Sequence, residues 1–233
     1  MEKAYQNISF LFTLFLVGIL WGFHKTYTIY FPDFKDFKWI HHVHGALMMS
    51  WVLLLIVQPI FITTGRVKMH RVFGKASYVT APLILVSLFL IAKTGYHHTL
   101  VTGTREDAHC FMVLDLRGLF VFGLFYFLAM INRKNAPYHM RYMIGTSLLL
   151  IGPGVGRGLM TNFNVSVWDA LNYTDYIAIA IAGIFLVYDI IKKNPIMPYT
   201  VVLLVLMAEN FLWHYRLSSP WQNFAARFAE LFF

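Results

Sequence analysis

The sequence predicts an all-α integral membrane protein, a polytopic bundle of seven transmembrane helices. Hydrophobic residues make up 58% of the 233 residues and charged residues only 13%. The apolar residues are also gathered into runs of about twenty, the length that crosses a bilayer. A soluble core of this size could not hide so much apolar surface, so a lipid bilayer is the expected surrounding. The formal charge of +8 lies in short loops, where it sets topology, and no nucleic acid partner is expected.

Seven apolar segments are long enough to cross a hydrocarbon layer of roughly 30 Å as α-helices. They are predicted at residues 8–24, 42–62, 73–95, 109–131, 140–160, 173–191 and 197–215. The first ends without a small-residue cleavage pattern, so it is predicted to be a span and not a signal peptide. Residues 217–233 place aromatic side chains at helical spacing and are predicted to form an amphipathic tail at the membrane interface. Residues 1–233 are therefore predicted to form a single transmembrane domain.

Basic residues indicate the orientation of the bundle. One side of the predicted membrane carries almost no acids, and its basic residues are Lys3, Arg66, Lys68, Arg71, Lys75, Arg133, Lys134, Arg141, Lys192 and Lys193. On the other side, acids such as Asp169 and Asp175 offset the basic residues. By the positive-inside rule the first side is cytoplasmic, which places the amino terminus inside and the carboxyl terminus outside.

Four histidines stand at the starts of four consecutive predicted spans. His44 and His109 fall near the outer face, and His70 and His139 fall near the inner face. One pair in each leaflet suits two bis-histidine metal centres, because low-spin haem iron takes one neutral imidazole on each side of the porphyrin. The alternative is that these histidines are interfacial anchors that contact phospholipid headgroups.

Two of these histidines lie in motifs that resemble the cytochrome b561 family. His44 to Met49 resembles the His-Pro-x-Leu-Met stretch of that family, with Gly45 in place of the proline, and His70 to Gly74 is similar to its His-x-x-x-Gly element. The resemblance implies a four-helix core made of spans two to five that holds two b haems. It implies a transmembrane oxidoreductase, with His44 and His109 on an outer haem and His70 and His139 on an inner one. A quinone or a small redox partner is then expected.

A closer resemblance is to an uncharacterised family of bacterial multi-pass membrane proteins. Its elements are His-Gly-x-Leu-Met-x-x-Trp, a following Gln, Gly-Arg-x-x-x-His-Arg-x-x-Gly, His-x-Arg-x-Met and Gly-Pro-x-x-Gly-Arg. These correspond to residues 44–51, Gln58, and residues 65–74, 139–143 and 152–157. The resemblance implies a bacterial cytoplasmic membrane protein but carries no activity with it.

Four of the ionisable residues inside predicted spans are catalytic candidates, because a charge there must be paired or hydrated. These catalytic candidates are Asp115, Arg117, Arg157 and Glu209. Asp115 and Arg117 point to different sides of one helix, so each needs a partner elsewhere. From their depth, the expected pairs are Arg157 with Asp115 and Arg117 with Glu209. Structural salt bridges without any chemistry are the alternative.

The outer histidines support a second hypothesis, a zinc- or copper-dependent membrane enzyme. His41, His42 and His214 could join His44 and His109 in an outer metal site, with Asp115 or Glu209 as a ligand or general base. Their spacing matches no HExxH motif. His24, His97 and His98 are expected to be solvated loop residues. A non-catalytic assembly partner, whose polar residues only lock helices together, is the third hypothesis.

Two further patterns predict local structure. His44, Trp51 and Gln58 recur every seven residues and share one stripe of span two, which is predicted to face the bundle. The segment 152–157 is predicted to interrupt span five, because Pro153 lacks an amide proton and its neighbouring glycines favour non-helical angles.

Overall fold

The computed structural model describes residues 5–233, so Lys3 of the charge count lies outside it. Every regular element of this part of the chain is helical, which confirms the predicted fold class. A short 3₁₀ turn at Thr28–Tyr30 lies between the first two helices. The helices are α1 (Ile8–His24), α2 (Trp39–Thr63), α3 (Val67–Gly74), α4 (Ser77–Thr102), α5 (Arg105–Ile131), α6 (Ala136–Leu148), α7 (Arg157–Phe163), α8 (Val167–Ile191), α9 (Met197–His214) and α10 (Ser219–Phe232).

Five helical stretches are long and apolar enough to cross a membrane. They are α2, the continuous stretch of α3 and α4, α5, the stretch from α6 to α7, and α8. The other two predicted spans are shorter, since α1 has 17 residues and α9 has 18. The chain is therefore an integral membrane protein by the length and apolarity of its helices, and the count of seven spans stays a prediction.

Helices α2, α4, α5 and α6 pack in a closed group, with α2 on α4, α4 on α5, α5 on α6 and α6 on α2. Trp51 lies in the middle of this group, 1% exposed. Its ring contacts those of Phe122 and Tyr126 on α5, with centroids 5.0 and 5.6 Å apart. Around this group, α1 packs on α2, and α9 packs on α5, α6 and α8. The four-helix core thus consists of predicted spans two to five.

Span five is interrupted as predicted, by a π-helical turn at Gly152–Gly156. Helix α1 packs directly against this turn. A Cβ atom on Gly22 would overlap the backbone carbonyl of Gly154. Because backbone cannot move as a side chain can, the close approach of α1 requires glycine at this position.

The predicted inner end of the bundle is joined by a fully buried ion pair between α6 and α8. Arg141 donates to Asp189 from Nε (2.6 Å) and from an Nη atom (2.8 Å), and both side chains are 0% exposed. Asp189 also accepts from Tyr5 Oη (3.2 Å) and Asn194 Nδ2 (3.0 Å). Burial raises the pKa of Tyr5 to about 12, so its phenol keeps the proton that it donates. The charge of Arg141, which was counted on this side of the membrane, is therefore balanced by Asp189.

We predict that Gly22→Ala lowers the free energy of unfolding by about 1–3 kcal/mol, the usual cost of overpacking a well-filled contact. The matched control is Gly183→Ala on α8, where an added Cβ meets nothing within 4 Å. That substitution should stabilise the helix by up to about 1 kcal/mol, because alanine has the higher helix propensity. Unfolding in detergent, followed by far-UV circular dichroism, measures both, and equal stability of the two variants would contradict the packing of α1.

Candidate histidine and charge sites

His70 and His139 both lie at the predicted inner end of the core. His70 lies on the short helix α3 and His139 lies in the first turn of α6. The two imidazoles are close enough for their charges to interact. His139 Nδ1 is 2.8 Å from the carbonyl oxygen of Ala129, so Nδ1 carries the proton and Nε2 keeps a free lone pair.

Gln58 fixes the protonation of the His70 ring. The amide is satisfied when its nitrogen donates to His70 O (3.1 Å) and His70 Nδ1 (2.5 Å), and its oxygen accepts from Gly74 N (3.1 Å). In this orientation Nδ1 of His70 is the acceptor, so its proton lies on Nε2. The Nε2 atoms of the two rings therefore differ: Nε2 of His70 carries a proton, and Nε2 of His139 has a free lone pair.

Hydrogen bonds continue from this pair into the middle of the core. Ser77 Oγ and Tyr126 Oη are 3.1 Å apart, and Trp51 Nε1 donates to Thr146 Oγ1 at 3.3 Å. The stripe of His44, Trp51 and Gln58 thus faces neighbouring helices along its length, as predicted, since His44 also bonds to α4. Each of these two bonds joins side chains of different helices.

The predicted outer histidines also have fixed protonation. His44 Nδ1 lies 3.0 Å from Ser87 Oγ, whose own proton goes to the carbonyl of Ile84, so His44 Nδ1 is the donor. His109 Nδ1 lies 2.9 Å from Gln222 Oε1, and the Gln222 amide nitrogen donates to the Arg216 carbonyl at 2.8 Å. His109 Nδ1 is therefore also the donor. Its Nε2 is buried and has no hydrogen-bond partner among residues 5–233.

The structure does not bring His44 and His109 together. His44 contacts Ser87 on α4, whereas the His109 ring stacks on Tyr96 of the same helix, with centroids 6.1 Å apart. Ser87 and Tyr96 are nine residues apart, which places them on opposite faces of α4 and about 13.5 Å apart along its axis. His109 faces α10, where Trp221 Nε1 also donates to its carbonyl at 2.9 Å. The outer haem pair stays a prediction of the sequence.

The residues proposed for an outer metal site have separate partners. His41 Nδ1 caps α2 at Lys38, His42 lies against Tyr27, and His214 Nε2 is 3.3 Å from Tyr176 Oη. Within the described part of the chain no three His, Cys, Asp or Glu side chains are arranged to hold a metal ion. His24, His97 and His98 are exposed, as predicted, but they lie in α1 and α4 and not in loops.

Both predicted ion pairs inside the spans were wrong. Arg117 pairs with Asp175 of α8 and not with Glu209, through two hydrogen bonds of 2.7 Å. Arg157 lies over the ring of Phe23, 4.5 Å from its centroid. Asp115 lies beside Gly95 on α4. No ion pair joins Arg157 to Asp115 in residues 5–233.

The partners that the sequence did not reveal are both on α8. Asp175 had been assigned to the outer loops, and Asp189 had not been considered. The two aspartates are fourteen residues apart, close to four helical turns, so they lie on one face of an otherwise apolar helix. That spacing in the sequence could have indicated that both aspartates face neighbouring helices.

Gly145 of α6 also has a structural role, because a Cβ atom at this position would press on Phe125 and Val202 at 3.1 Å.

We predict that Gln222→Leu lowers the free energy of unfolding by about 1–3 kcal/mol, because it leaves the buried Nδ1 donor of His109 unsatisfied. Asn223→Leu is the matched control, since the neighbouring Asn223 is exposed. Thermal unfolding in detergent measures the difference. Equal midpoints for the two variants would show that Gln222 does not hold the His109 ring.

Comparison with protein-family models, with curated proteins and with solved structures gave no match. The chemistry of the side chains is therefore the basis for assigning a function.

Proposed function

We propose that this chain is a b-type haem protein that carries electrons in the membrane, with His70 and His139 as the axial ligands. The observation that supports this best is that these two imidazoles, from separate helices, lie within electrostatic range of each other at one end of the four-helix core. Facing helices of a bundle are a common way to supply such a ligand pair. The bound haem would supply a one-electron iron couple.

His139 is already in the protonation form that can bind haem iron. Its Nδ1 proton is bound to the Ala129 carbonyl, which orients the ring and leaves the Nε2 lone pair for the iron. His70 is held in the other form, because its Nδ1 accepts from the Gln58 amide; an Nε2 lone pair needs that amide to turn over, which sets the Gln58 oxygen against the His70 carbonyl and its nitrogen against the Gly74 amide. The orientation of the Gln58 amide therefore decides whether Nε2 of His70 has a lone pair or a proton.

The residues around this pair also suit a redox centre in a membrane. Trp51, Phe122 and Phe125 are at most 3% exposed and fill the core on the outer side of the two histidines. Apolar packing of this kind keeps water from the centre and so helps to set its potential. We propose only one haem, because His44 and His109 contact opposite faces of α4.

A reduced-minus-oxidised spectrum of the detergent-purified protein, expressed with haem precursor, tests the proposal. The wild-type protein should show low-spin b-type bands, and His70→Ala and His139→Ala should each abolish them. His98→Ala is the matched control, because His98 is exposed, and it should leave the bands intact. A folded wild-type protein without bands, as a metal enzyme or a non-catalytic assembly partner would be, contradicts the proposal, as do bands that persist in both alanine variants.

We also predict that Gln58→Glu makes the midpoint potential more negative, by about 60 mV for each tenfold gain in the relative stability of the oxidised state. A carboxylate at this position always accepts the Nδ1 proton of His70, so it makes the ligand more basic and favours oxidised iron. Potentiometric titration measures the change. An unchanged or more positive potential would show that Gln58 does not act on the ligand.

A further inference from the structure

The predicted outer half of the bundle contains three charged side chains from three helices. Arg117 of α5 and Asp175 of α8 form a closed pair, because the two terminal nitrogens of the guanidinium donate to the two oxygens of the carboxylate. Each side chain of the pair is 14% exposed. The third member is Glu209 of α9, which is 7% exposed and within electrostatic range of both.

Glu209 has no partner of its own in this group. Its carboxyl group makes no hydrogen bond to any residue in the described range 5–233, whereas both terminal nitrogens of Arg117 donate to Asp175. The charged groups that face it are Arg117 and Asp175. His214, further along α9, is bound to Tyr176. One guanidinium thus stands beside two carboxyl groups, and only one of these is neutralised by it.

A buried carboxylate without a donor is unstable in a membrane protein, so Glu209 must be neutralised by something that it binds. We infer that Glu209 is a proton-binding site, which takes up and releases one proton beside the Arg117–Asp175 pair. A sodium ion suits the site less well, because it needs several oxygen ligands and the positive guanidinium repels it. This inference does not depend on the presence of haem.

Labelling with dicyclohexylcarbodiimide tests the inference on the whole purified protein. The reagent reacts with a protonated carboxyl group in apolar surroundings. The acid proton goes to a nitrogen of the carbodiimide and the carboxyl oxygen bonds to its central carbon, and the adduct rearranges to a stable N-acylurea. We expect an adduct on Glu209 by peptide mass mapping, with a yield that falls as the pH rises.

Two variants and one control make the result specific. Glu209→Gln should abolish the adduct, and Glu106→Gln should not, because Glu106 is exposed. Asp175→Asn should reduce labelling of Glu209 severalfold, because Arg117 is then free to pair with Glu209 and replaces the proton. This variant keeps Glu209 in place, so it tests the site even if Glu209→Gln does not fold.

Three results would overturn the inference. Glu209 that stays unlabelled in the folded wild-type protein is not a protonated acid. A yield on Glu209 that does not change with pH excludes reversible protonation. Protection by sodium chloride, but not by potassium chloride, at constant pH would identify the ligand as a sodium ion.

Discussion

A polar group inside a bilayer has no water to bind, so its partner must lie on another part of the protein. In this chain that constraint fixes the position of α8. Asp189 binds Arg141 of α6 near one end of α8, and Asp175 binds Arg117 of α5 towards the other end. Removing one partner of a buried ion pair costs about 3–5 kcal/mol, because it leaves an uncompensated charge. Two such contacts on one face of α8 therefore determine both its rotation and its depth against the core.

The same constraint determines what the histidines present. An imidazole in these surroundings must place each nitrogen against a suitable group, and the protein supplies one for Nδ1 in each case. The groups come from Ser87, Gln222, Ala129 and Gln58. Three of the four rings are left with a free Nε2 lone pair, the form that binds iron, and the fourth, His70, is held in the other form by the Gln58 amide. Hydrogen bonds that satisfy the membrane constraint thus also prepare the rings as ligands.

The sequence predicted the fold class, the break at Gly152–Gly156 and the inward stripe of α2, because these follow from local composition and periodicity. It did not predict the partners of Arg117 and Arg141. Depth in the membrane can be estimated from position in a span, but sequence does not tell which helices are neighbours or how each is rotated. The position of His109 was missed for the same reason. The amphipathic spacing of the tail did not reveal that Gln222 and Trp221 of α10 bond to His109 of α5.

A double-mutant cycle on Arg141 and Asp189 tests most directly the claim that interhelical pairing of buried polar groups holds this bundle together. Arg141→Met and Asp189→Leu should each lower the free energy of unfolding by about 3–5 kcal/mol, because each breaks a fully buried ion pair by removing one of its members. The double variant removes both charges, so it should lose clearly less than the sum of the single losses. Single variants within about 0.5 kcal/mol of the wild-type protein, or strictly additive losses, would contradict the account.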